Sequence, residues 1–281
     1  MNVTVLMENT ARTGCGLTPE HGLSLYIEHR GRVLLLDAGS SGKFVDNARS
    51  LGADLSAVEA AVLSHGHYDH SDGLRRFFQV NKRAPVYVRR GASGAYFAMD
   101  PEGPRYIGVH REIWEGFPSR FVEIEGLYPL SEGVWLVPET VHDSAFAGQA
   151  ADLLFKRGQD DFVPDDYRHE QSLVLEGEKG LVVFNSCSHG GIVNIVQGVL
   201  AQLPGKRVFA VVGGLHMFSR GKSGMNCTPE YVIQVADALK ELGVEEIHTG
   251  HCTGETALAL LQKRFGPGCR ALSTGQVLCF S

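Results

Sequence analysis

The stretch from Ala61 to Leu74, AVLSHGHYDHSDGL, places three histidines and one aspartate within six positions, directly after an apolar run. Side chains alternate along a strand, so His65 and His67 are expected to point the same way where the strand ends. Asp69 and His70 follow in the turn that opens the next helix. Imidazole and carboxylate groups bind zinc, iron and manganese, and an open coordination position allows the ion to activate water. The stretch therefore predicts a metal site at the end of a strand.

Length and composition favour one sizeable folded domain. The chain has 281 residues, of which 43% are hydrophobic, and this is enough for a large core. We therefore predict a single domain over residues 1–281. The formal net charge is -6 with acidic and basic residues interspersed, which disfavours a dedicated nucleic-acid binder and favours a small-molecule substrate. The oligomeric state stays open.

The beginning of the chain, MNVTVLMENTARTGCG, lacks the basic start and long apolar segment of a secretory signal. No later run approaches the length of a bilayer-spanning helix, so we expect a cytoplasmic protein without a membrane partner. The six cysteines show no CxxC pair and no short repeated spacing. They therefore predict reduced, mostly buried thiols rather than a disulfide framework or a zinc finger.

Strand-like and helix-like segments alternate in two halves of the chain. VTVLME, LSLYIEH and RVLLLDAG predict strands in the first half, and SGKFVDNARSLG predicts a helix. Alternation resumes with SLVLEG and includes three further helical segments, GIVNIVQGVLAQL, TPEYVIQVADALKELG and GETALALLQKRFG. The pattern weakens over residues of about 91–133 and 143–169, so we expect two irregular surface insertions or lids there.

The sequence HGHYDH resembles the HxHxDH signature of the metallo-β-lactamase fold hydrolases. LLLDAG places Asp37 where the family carries a strand-end aspartate, and NSCSHGGI, GGLHM and TGHCTG each bring a histidine after a strand. This combination looks most like the branch of dihydropterin ribofuranosyl-aminobenzene phosphate synthase-like proteins. The resemblance covers nearly the whole chain. It implies an α/β fold that is a four-layer αββα sandwich, with two facing β-sheets and helices on both outer faces.

The resemblance also implies a site for one or two divalent metal ions, with zinc favoured over iron or manganese. Six side chains would bind the ions: His65, His67, Asp69, His70, His189 and His251. The first two would hold one ion, and Asp69 and His70 would share a second ion with His251. Asp69 would in addition orient the attacking water, which makes it a catalytic candidate.

Several positions near this ligand set stay open. Most relatives carry a bridging aspartate close to the position of Cys187, and a thiolate would bind zinc strongly, but we favour a thiol that only lines the site. His142, in VPETVHDSAF, competes with His189 for the place of the third histidine. We favour His189 because CSHGG lies in a strand-to-helix turn.

His216, the second catalytic candidate, follows a strand ending in two glycines that permit close backbone approach to a ligand. It could bind the metal, donate a proton or stabilise the transition state, or only hydrogen-bond to a ligand residue.

The leading function is a metal-dependent hydrolase that acts on a small ester, lactone or phosphoester through metal-activated water. One alternative is a biosynthetic enzyme of the pterin and phosphoribosyl synthase type, and another is a di-iron or mono-iron redox enzyme. Di-iron relatives commonly replace the second histidine with glutamate, whereas this chain has His67, so the redox alternative is disfavoured.

The remaining histidines are not assigned to the site. His248 is expected on the sheet face opposite to that of His251. Four histidines carry no pattern and are expected at the surface: His21, His29, His110 and His169.

Overall fold

The structure is a computed structural model that describes residues 1–138, 140–149, 152–159, 161–218 and 224–280. The chain divides into two compact units. The first unit contains residues 1–125, 151–169 and 273–280, and the second contains residues 126–150 and 170–272. The prediction of a single domain stays a prediction.

The helices and strands of the described chain are numbered in sequence order. The helices are α1 (Lys43–Leu51), α2 (Tyr68–Ser71), α3 (Leu74–Val80), α4 (Arg111–Gly116), α5 (Ile192–Gln202), α6 (Pro229–Glu241) and α7 (Glu255–Phe265). The strands are β1 (Asn2–Met7), β2 (Ser24–His29), β3 (Arg32–Leu36), β4 (Ala60–Val62), β5 (Val86–Arg89), β6 (Tyr96–Asp100), β7 (Gly103–Tyr106), β8 (Phe121–Ile124), β9 (Tyr128–Ser131), β10 (Val134–Pro138), β11 (Leu153–Lys156), β12 (Phe162–Pro164), β13 (Gln171–Gly177), β14 (Gly180–Phe184), β15 (Val208–Val212), β16 (Glu246–Thr249), β17 (Cys269–Ala271) and β18 (Val277–Cys279).

The first unit contains a seven-stranded sheet in the order β18-β1-β2-β3-β4-β5-β8. Strands β18, β1, β2 and β3 pair antiparallel, whereas β3, β4, β5 and β8 pair parallel. Phe44 of α1 and Phe77 of α3 lie in the same buried core as Leu35 of β3. Gly52 ends α1 in the left-handed conformation that glycine adopts without steric cost. The parallel strands direct their carboxyl ends to one edge, where the histidine cluster begins.

The second unit contains another seven-stranded sheet, in the order β17-β16-β15-β14-β13-β10-β9. Strands β14 to β17 pair parallel, and β9, β10, β13 and β14 pair antiparallel. Its core contains side chains from α5, α6 and α7, including Val196, Val235 and Leu261. Helix α6 begins at Pro229, and the preceding Thr228 accepts a hydrogen bond from the Tyr231 amide in the usual manner of an N-cap.

The predicted helices of both halves are confirmed, but the two supposedly irregular segments contain strands. Strands β6 and β7 from residues 91–133 join β11 and β12 from residues 143–169 in a four-stranded antiparallel sheet, ordered β12-β11-β6-β7. This sheet belongs to the first unit. Its strands are only three to five residues long, so each is too short to show a clear alternation in the sequence. The expectation of irregular lids is therefore wrong for these strands.

Two further expectations, about membrane-spanning helices and about the cysteines, concern the described part of the chain. Within that part, no helix has both the length and the apolar character needed to cross a membrane. No two cysteines of the described chain are joined by a disulfide, and Cys187, Cys252 and Cys269 are buried. Cys15 and Cys279 are exposed, so the expectation of mostly buried thiols is only partly correct.

Candidate metal centre

The first unit gathers the four ligand candidates of HGHYDH at the carboxyl end of β4. The chain leaves β4 at Val62 and turns through His65 and His67 into α2, which contains Asp69 and His70. The ring centroid of His65 lies 4.6 Å from that of His67 and 4.3 Å from that of His70. An oxygen of Asp69 lies 3.5 Å from Nε2 of His70. All four residues are buried. The four donors predicted from the sequence are therefore close together, and they form the first cluster.

Asp37 organises this cluster from the end of β3, and its carboxylate is fully buried. One carboxylate oxygen accepts a hydrogen bond from the Ser64 amide, with a nitrogen-to-oxygen distance of 2.7 Å. The other accepts the Ser64 hydroxyl at 2.6 Å and faces Nδ1 of His70 at 2.8 Å. Because the only hydroxyl proton of Ser64 goes to Asp37, Oγ accepts the hydrogen bond from Nδ1 of His65, at 2.8 Å. The Nδ1 atoms of both imidazoles thus have protein partners, so an ion would bind these rings through Nε2, which in His70 lies 3.5 Å from an Asp69 oxygen.

The buried charges make the first cluster suited to a cation. Burial, followed by the neighbouring His169, lowers the pKa of His67 to about 3, so this imidazole is neutral near pH 7. Burial would also lower the pKa of His70, but the carboxylates of Asp69 and Asp37 outweigh it and raise the pKa to about 10. A metal ion at Nε2 of His70 would therefore replace a proton already held there.

Two further histidines near the first cluster were not predicted to take part in it. His21 is exposed, as expected, but its Nε2 lies 3.2 Å from an Asp69 oxygen. Gly22 permits this approach, because a Cβ there would lie only 2.3 Å from the Asp69 carbonyl oxygen. His169 was expected at the surface but is 1% exposed, and its ring centroid lies 5.3 Å from that of His67. That expectation is wrong because the first unit buries residue 169 beside the cluster.

The remaining histidines show mixed outcomes. His29 was also expected at the surface and is buried, whereas His110 is exposed as expected and pairs with Asp72 at 2.8 Å. His248 is buried in β16, with Nε2 2.9 Å from a Glu246 oxygen. Burial is the main reason why its pKa is lowered. His110 and His248 therefore each have an acidic partner of their own.

The second unit forms a second cluster where its parallel strands β14, β15 and β16 end. Cys187 and His189 follow β14, His216 follows β15, and His251 and Cys252 follow β16. The possible ligand atoms of Cys187, His189 and His216 lie within 4.8 Å of one another, and so do those of Cys187, His251 and Cys252. The carboxyl ends of neighbouring parallel strands lie at the same edge of a sheet, which explains why residues so far apart in sequence meet.

Glu170 holds the turn that carries His189. Its buried carboxylate accepts the amide of His189 at 2.9 Å and that of Gly190 at 3.1 Å. Asn185 adds a third bond, since its side-chain oxygen accepts the Ser188 amide at 2.7 Å. No local pattern in the sequence marks Glu170, which lies 19 residues before His189. His142, the alternative to His189, lies in an exposed loop after β10.

The two glycines before His216 make room for other parts of the protein. A Cβ at Gly213 would lie 1.9 Å from the Asn185 carbonyl oxygen, and one at Gly214 would lie 2.4 Å from Sγ of Cys252. The space expected for a ligand is therefore filled by the chain itself. His216 follows in a left-handed conformation, with φ of 46°, and its ring centroid lies 4.2 Å from that of His189.

Cys252 makes two hydrogen bonds within the second cluster. Its Sγ accepts a hydrogen bond from the His216 amide at 3.3 Å and donates one to the Cys187 carbonyl oxygen at 3.6 Å. Burial would raise the pKa of this thiol, but a hydrogen bond with Cys187 and the charges of His251 and His216 lower it well below its usual value. The sequence singled out both cysteines as neighbours of ligands, and the ligand roles of all residues in both clusters stay predictions.

Comparisons with known proteins bear on the fold and the family of this chain. The family model described as the metallo-beta-lactamase superfamily matches residues 17–196. The 7,8-dihydropterin-6-methyl-4-(beta-D-ribofuranosyl)-aminobenzene-5'-phosphate synthase of Methanocaldococcus jannaschii is 27% identical, over 100% of this chain and 97% of its own. A solved metal-dependent hydrolase of the beta-lactamase superfamily is 28% identical with a TM-score of 0.81, over 100% of this chain and 99% of its own.

A solved diphosphatase from the PhnP family is 13% identical with a TM-score of 0.58, over 100% of this chain and 98% of its own, and it supports the fold alone. The α/β fold class and the family resemblance carried by HGHYDH are both confirmed. The family match spans well over half of the 281 residues. The chain therefore belongs to the metallo-β-lactamase superfamily.

Proposed function

We propose that this protein is a metal-dependent hydrolase that acts on a small ester, lactone or phosphoester. The observation that carries the proposal is the Asp37 network, which gives Nδ1 of His65 and Nδ1 of His70 hydrogen-bond partners within the protein and so orients both rings for binding through Nε2. Metal-binding histidines in enzymes commonly have this second hydrogen bond. Membership of a superfamily that includes a similar metal-dependent hydrolase supports the same reading of the site.

The donor set suits one or two divalent ions, with zinc proposed first and iron or manganese as alternatives. We propose six ligands: His65, His67, Asp69, His70, His189 and His251. His67 is neutral at physiological pH, as a metal ligand must be, and Asp69 supplies a negative charge. An ion bound by such a set supplies Lewis acidity, which lowers the pKa of water and polarises a carbonyl or phosphoryl oxygen.

Two side chains of this protein, those of Asp69 and His216, are proposed to act directly in the reaction. We propose that Asp69 orients the attacking water, since its carboxylate lies between His21 at 3.2 Å and His70 at 3.5 Å and is thereby fixed in direction. His216 is proposed as the group that donates a proton or stabilises developing negative charge. The substrate is proposed to be a small molecule and not a nucleic acid or a membrane, and the cytoplasmic location stays a prediction.

A biosynthetic activity is the second candidate, because the named relative from Methanocaldococcus jannaschii is a synthase that matches the whole chain. A condensing step between a pterin precursor and a phosphoribosyl compound is therefore a specific alternative to hydrolysis. Both activities would use the same clusters of side chains.

One experiment separates the two candidates. The purified protein is loaded with zinc, manganese or iron and assayed on phosphomonoesters, phosphodiesters, lactones and carboxylic esters, and in parallel on the pterin and phosphoribosyl pair. The proposal expects hydrolysis of at least one ester class and loss of it in a His65→Ala variant. Condensation without hydrolysis would establish the synthase alternative, and metal-independent hydrolysis would overturn the proposal.

A further inference from the structure

The glycine between the first two proposed ligands has a hydrogen-bond partner from a distant part of the chain. The Gly66 amide donates to Nδ1 of His169 at 2.9 Å, across a sequence separation of 103 residues. Nε2 of the same ring lies 3.0 Å from an oxygen of Asp165. A ring nitrogen that accepts a hydrogen bond carries no proton, so Nε2 of His169 carries the proton and donates it to Asp165. The two partners therefore fix one neutral tautomer of His169.

Asp165 is itself held in place by the backbone. Its amide donates to the Leu153 carbonyl oxygen at 3.0 Å, and its second carboxylate oxygen accepts the Tyr167 amide at 2.9 Å. The side chains of Asp165 and His169 are each 1% exposed. The carboxylate is thus anchored to β11 and to the turn after β12, and it cannot easily move away from His169.

Packing confines Gly66 from another direction. A Cβ on Gly66 would lie 2.4 Å from the Ala92 carbonyl oxygen and 3.0 Å from a ring carbon of Tyr96. The Tyr96 ring lies against the His169 ring, with centroids 3.9 Å apart and planes inclined by 31°. The Tyr96 hydroxyl donates to the Gly91 carbonyl oxygen at 2.7 Å. Parts of both segments predicted as irregular insertions therefore meet at the glycine of HGHYDH.

We propose that His169, held by Asp165, is a positioning residue for the metal-binding segment. By accepting the Gly66 amide it fixes the peptide between His65 and His67, and with it the separation of their two imidazoles. The effect on metal binding rests on the proposed function, whereas the fixing of Gly66 does not. His169 itself stays outside the ligand set.

Three substitutions separate the contacts that His169 makes. His169→Asn places an oxygen near the position of Nδ1, so it keeps an acceptor for Gly66 and loses the bond to Asp165. His169→Gln places its amide nearer to the position of Nε2 and loses the acceptor for Gly66. His169→Phe keeps a ring against Tyr96 and loses both bonds. His29→Asn is the control, because His29 is another buried histidine of the first unit.

The measurement is the dissociation constant for Co²⁺, from competition with a chromophoric chelator, together with the visible spectrum of the bound ion. We expect His169→Phe and His169→Gln to bind Co²⁺ roughly 10- to 100-fold more weakly, with an altered spectrum. We expect His169→Asn, which keeps the acceptor for Gly66 but loses the Asp165 bond, to weaken binding less than either of them, and His29→Asn to bind as the wild type does. Wild-type affinity and spectrum in both His169→Phe and His169→Gln would overturn the proposal, even if their melting temperatures fell. Equal weakening in all three variants would also overturn it.

A second measurement needs no metal and keeps the two proposals distinguishable. Hydrogen exchange of the Gly66 amide is followed by NMR in the metal-free protein, where the wild type is expected to be protected. We expect faster exchange at Gly66 in His169→Gln and near-normal exchange in His169→Asn. A wild type that binds no divalent ion would remove the proposed function alone, and unprotected Gly66 in that protein would remove the positioning role.

Discussion

At the scale of single residues, one buried carboxylate links two histidines of the first cluster. Asp37 contacts the Ser64 amide, the Ser64 hydroxyl and Nδ1 of His70, and through Ser64 it also settles the orientation of His65. Its backbone adopts a φ of 56°, a left-handed conformation that aspartate and asparagine tolerate better than most residues. An asparagine at this position would keep the backbone and change only the chemistry of the side chain.

We therefore predict that Asp37→Asn folds but binds metal roughly 10- to 100-fold more weakly. The amide offers one acceptor oxygen where the carboxylate offered two, so either Ser64 or His70 loses its partner. The pKa of His70 should fall as well, because one of the two carboxylates that raise it is lost. Chelator competition measures the affinity, and NMR titration of His70 measures the pKa. An unchanged affinity would show that Asp37 does not orient the ligands.

The buried histidines predict a specific pH dependence for the metal-free protein. The pKa of His67 is lowered to about 3, so the unfolded chain binds more protons here between pH 3 and about 6.5, and stability is lost as the pH falls through that range. The pKa of His70 is raised to about 10, so its contribution is complete below about pH 6.5 and is lost as the pH rises towards 10. Each limb has a slope of at most about 1.4 kcal/mol per pH unit.

Urea unfolding between pH 4 and pH 9 is therefore expected to show greatest stability near pH 6 to 7. His67→Asn should flatten the acid limb, and His70→Asn should flatten the alkaline limb, whatever each variant does to the maximum. A wild-type profile with no decline on either side would contradict the assigned directions of both pKa values.

At the scale of helices and strands, the sequence was informative wherever a pattern was local. Helices α1, α5, α6 and α7 all lie within segments whose apolar periodicity predicted them. HGHYDH could be recognised because its four donors are adjacent in the chain. Glu170 and His169 could not be recognised, because each acts on residues that are 19 or 103 positions away. The short strands β6, β7, β11 and β12 acquire regular structure only by pairing with one another.

The turn after β14 supplies a prediction at this scale. Glu170→Gln leaves one of the amides of His189 and Gly190 opposite an NH₂ group, which cannot accept a hydrogen bond. A buried amide without an acceptor costs about 1–3 kcal/mol, so we expect a loss of that size in the free energy of unfolding. Thr228→Ala removes the N-cap of α6 in the same unit and should cost about 1 kcal/mol.

The two variants differ in their expected effect on metal. Glu170→Gln should weaken metal binding, because His189 is a proposed ligand and its turn is loosened, whereas Thr228→Ala should leave metal binding unchanged. Calorimetric melting and chelator competition on the same samples make the comparison. If both variants lowered metal affinity equally, the effect would come from general destabilisation and not from the turn.

At the scale of the whole molecule, an ion that binds only the folded chain adds to its stability. At a free concentration of 1,000 times the dissociation constant, the gain is about 4 kcal/mol. We expect zinc to raise the free energy of unfolding by this amount in the wild type, with most of the gain lost in His67→Ala.

The same measurement decides which residue is the third histidine of the metal centre. His189→Ala should reduce the zinc-dependent gain, and His142→Ala should preserve it, because His142 lies in an exposed loop. The reverse result would transfer the ligand role to His142, and a gain that survives both substitutions would exclude both residues from the metal centre.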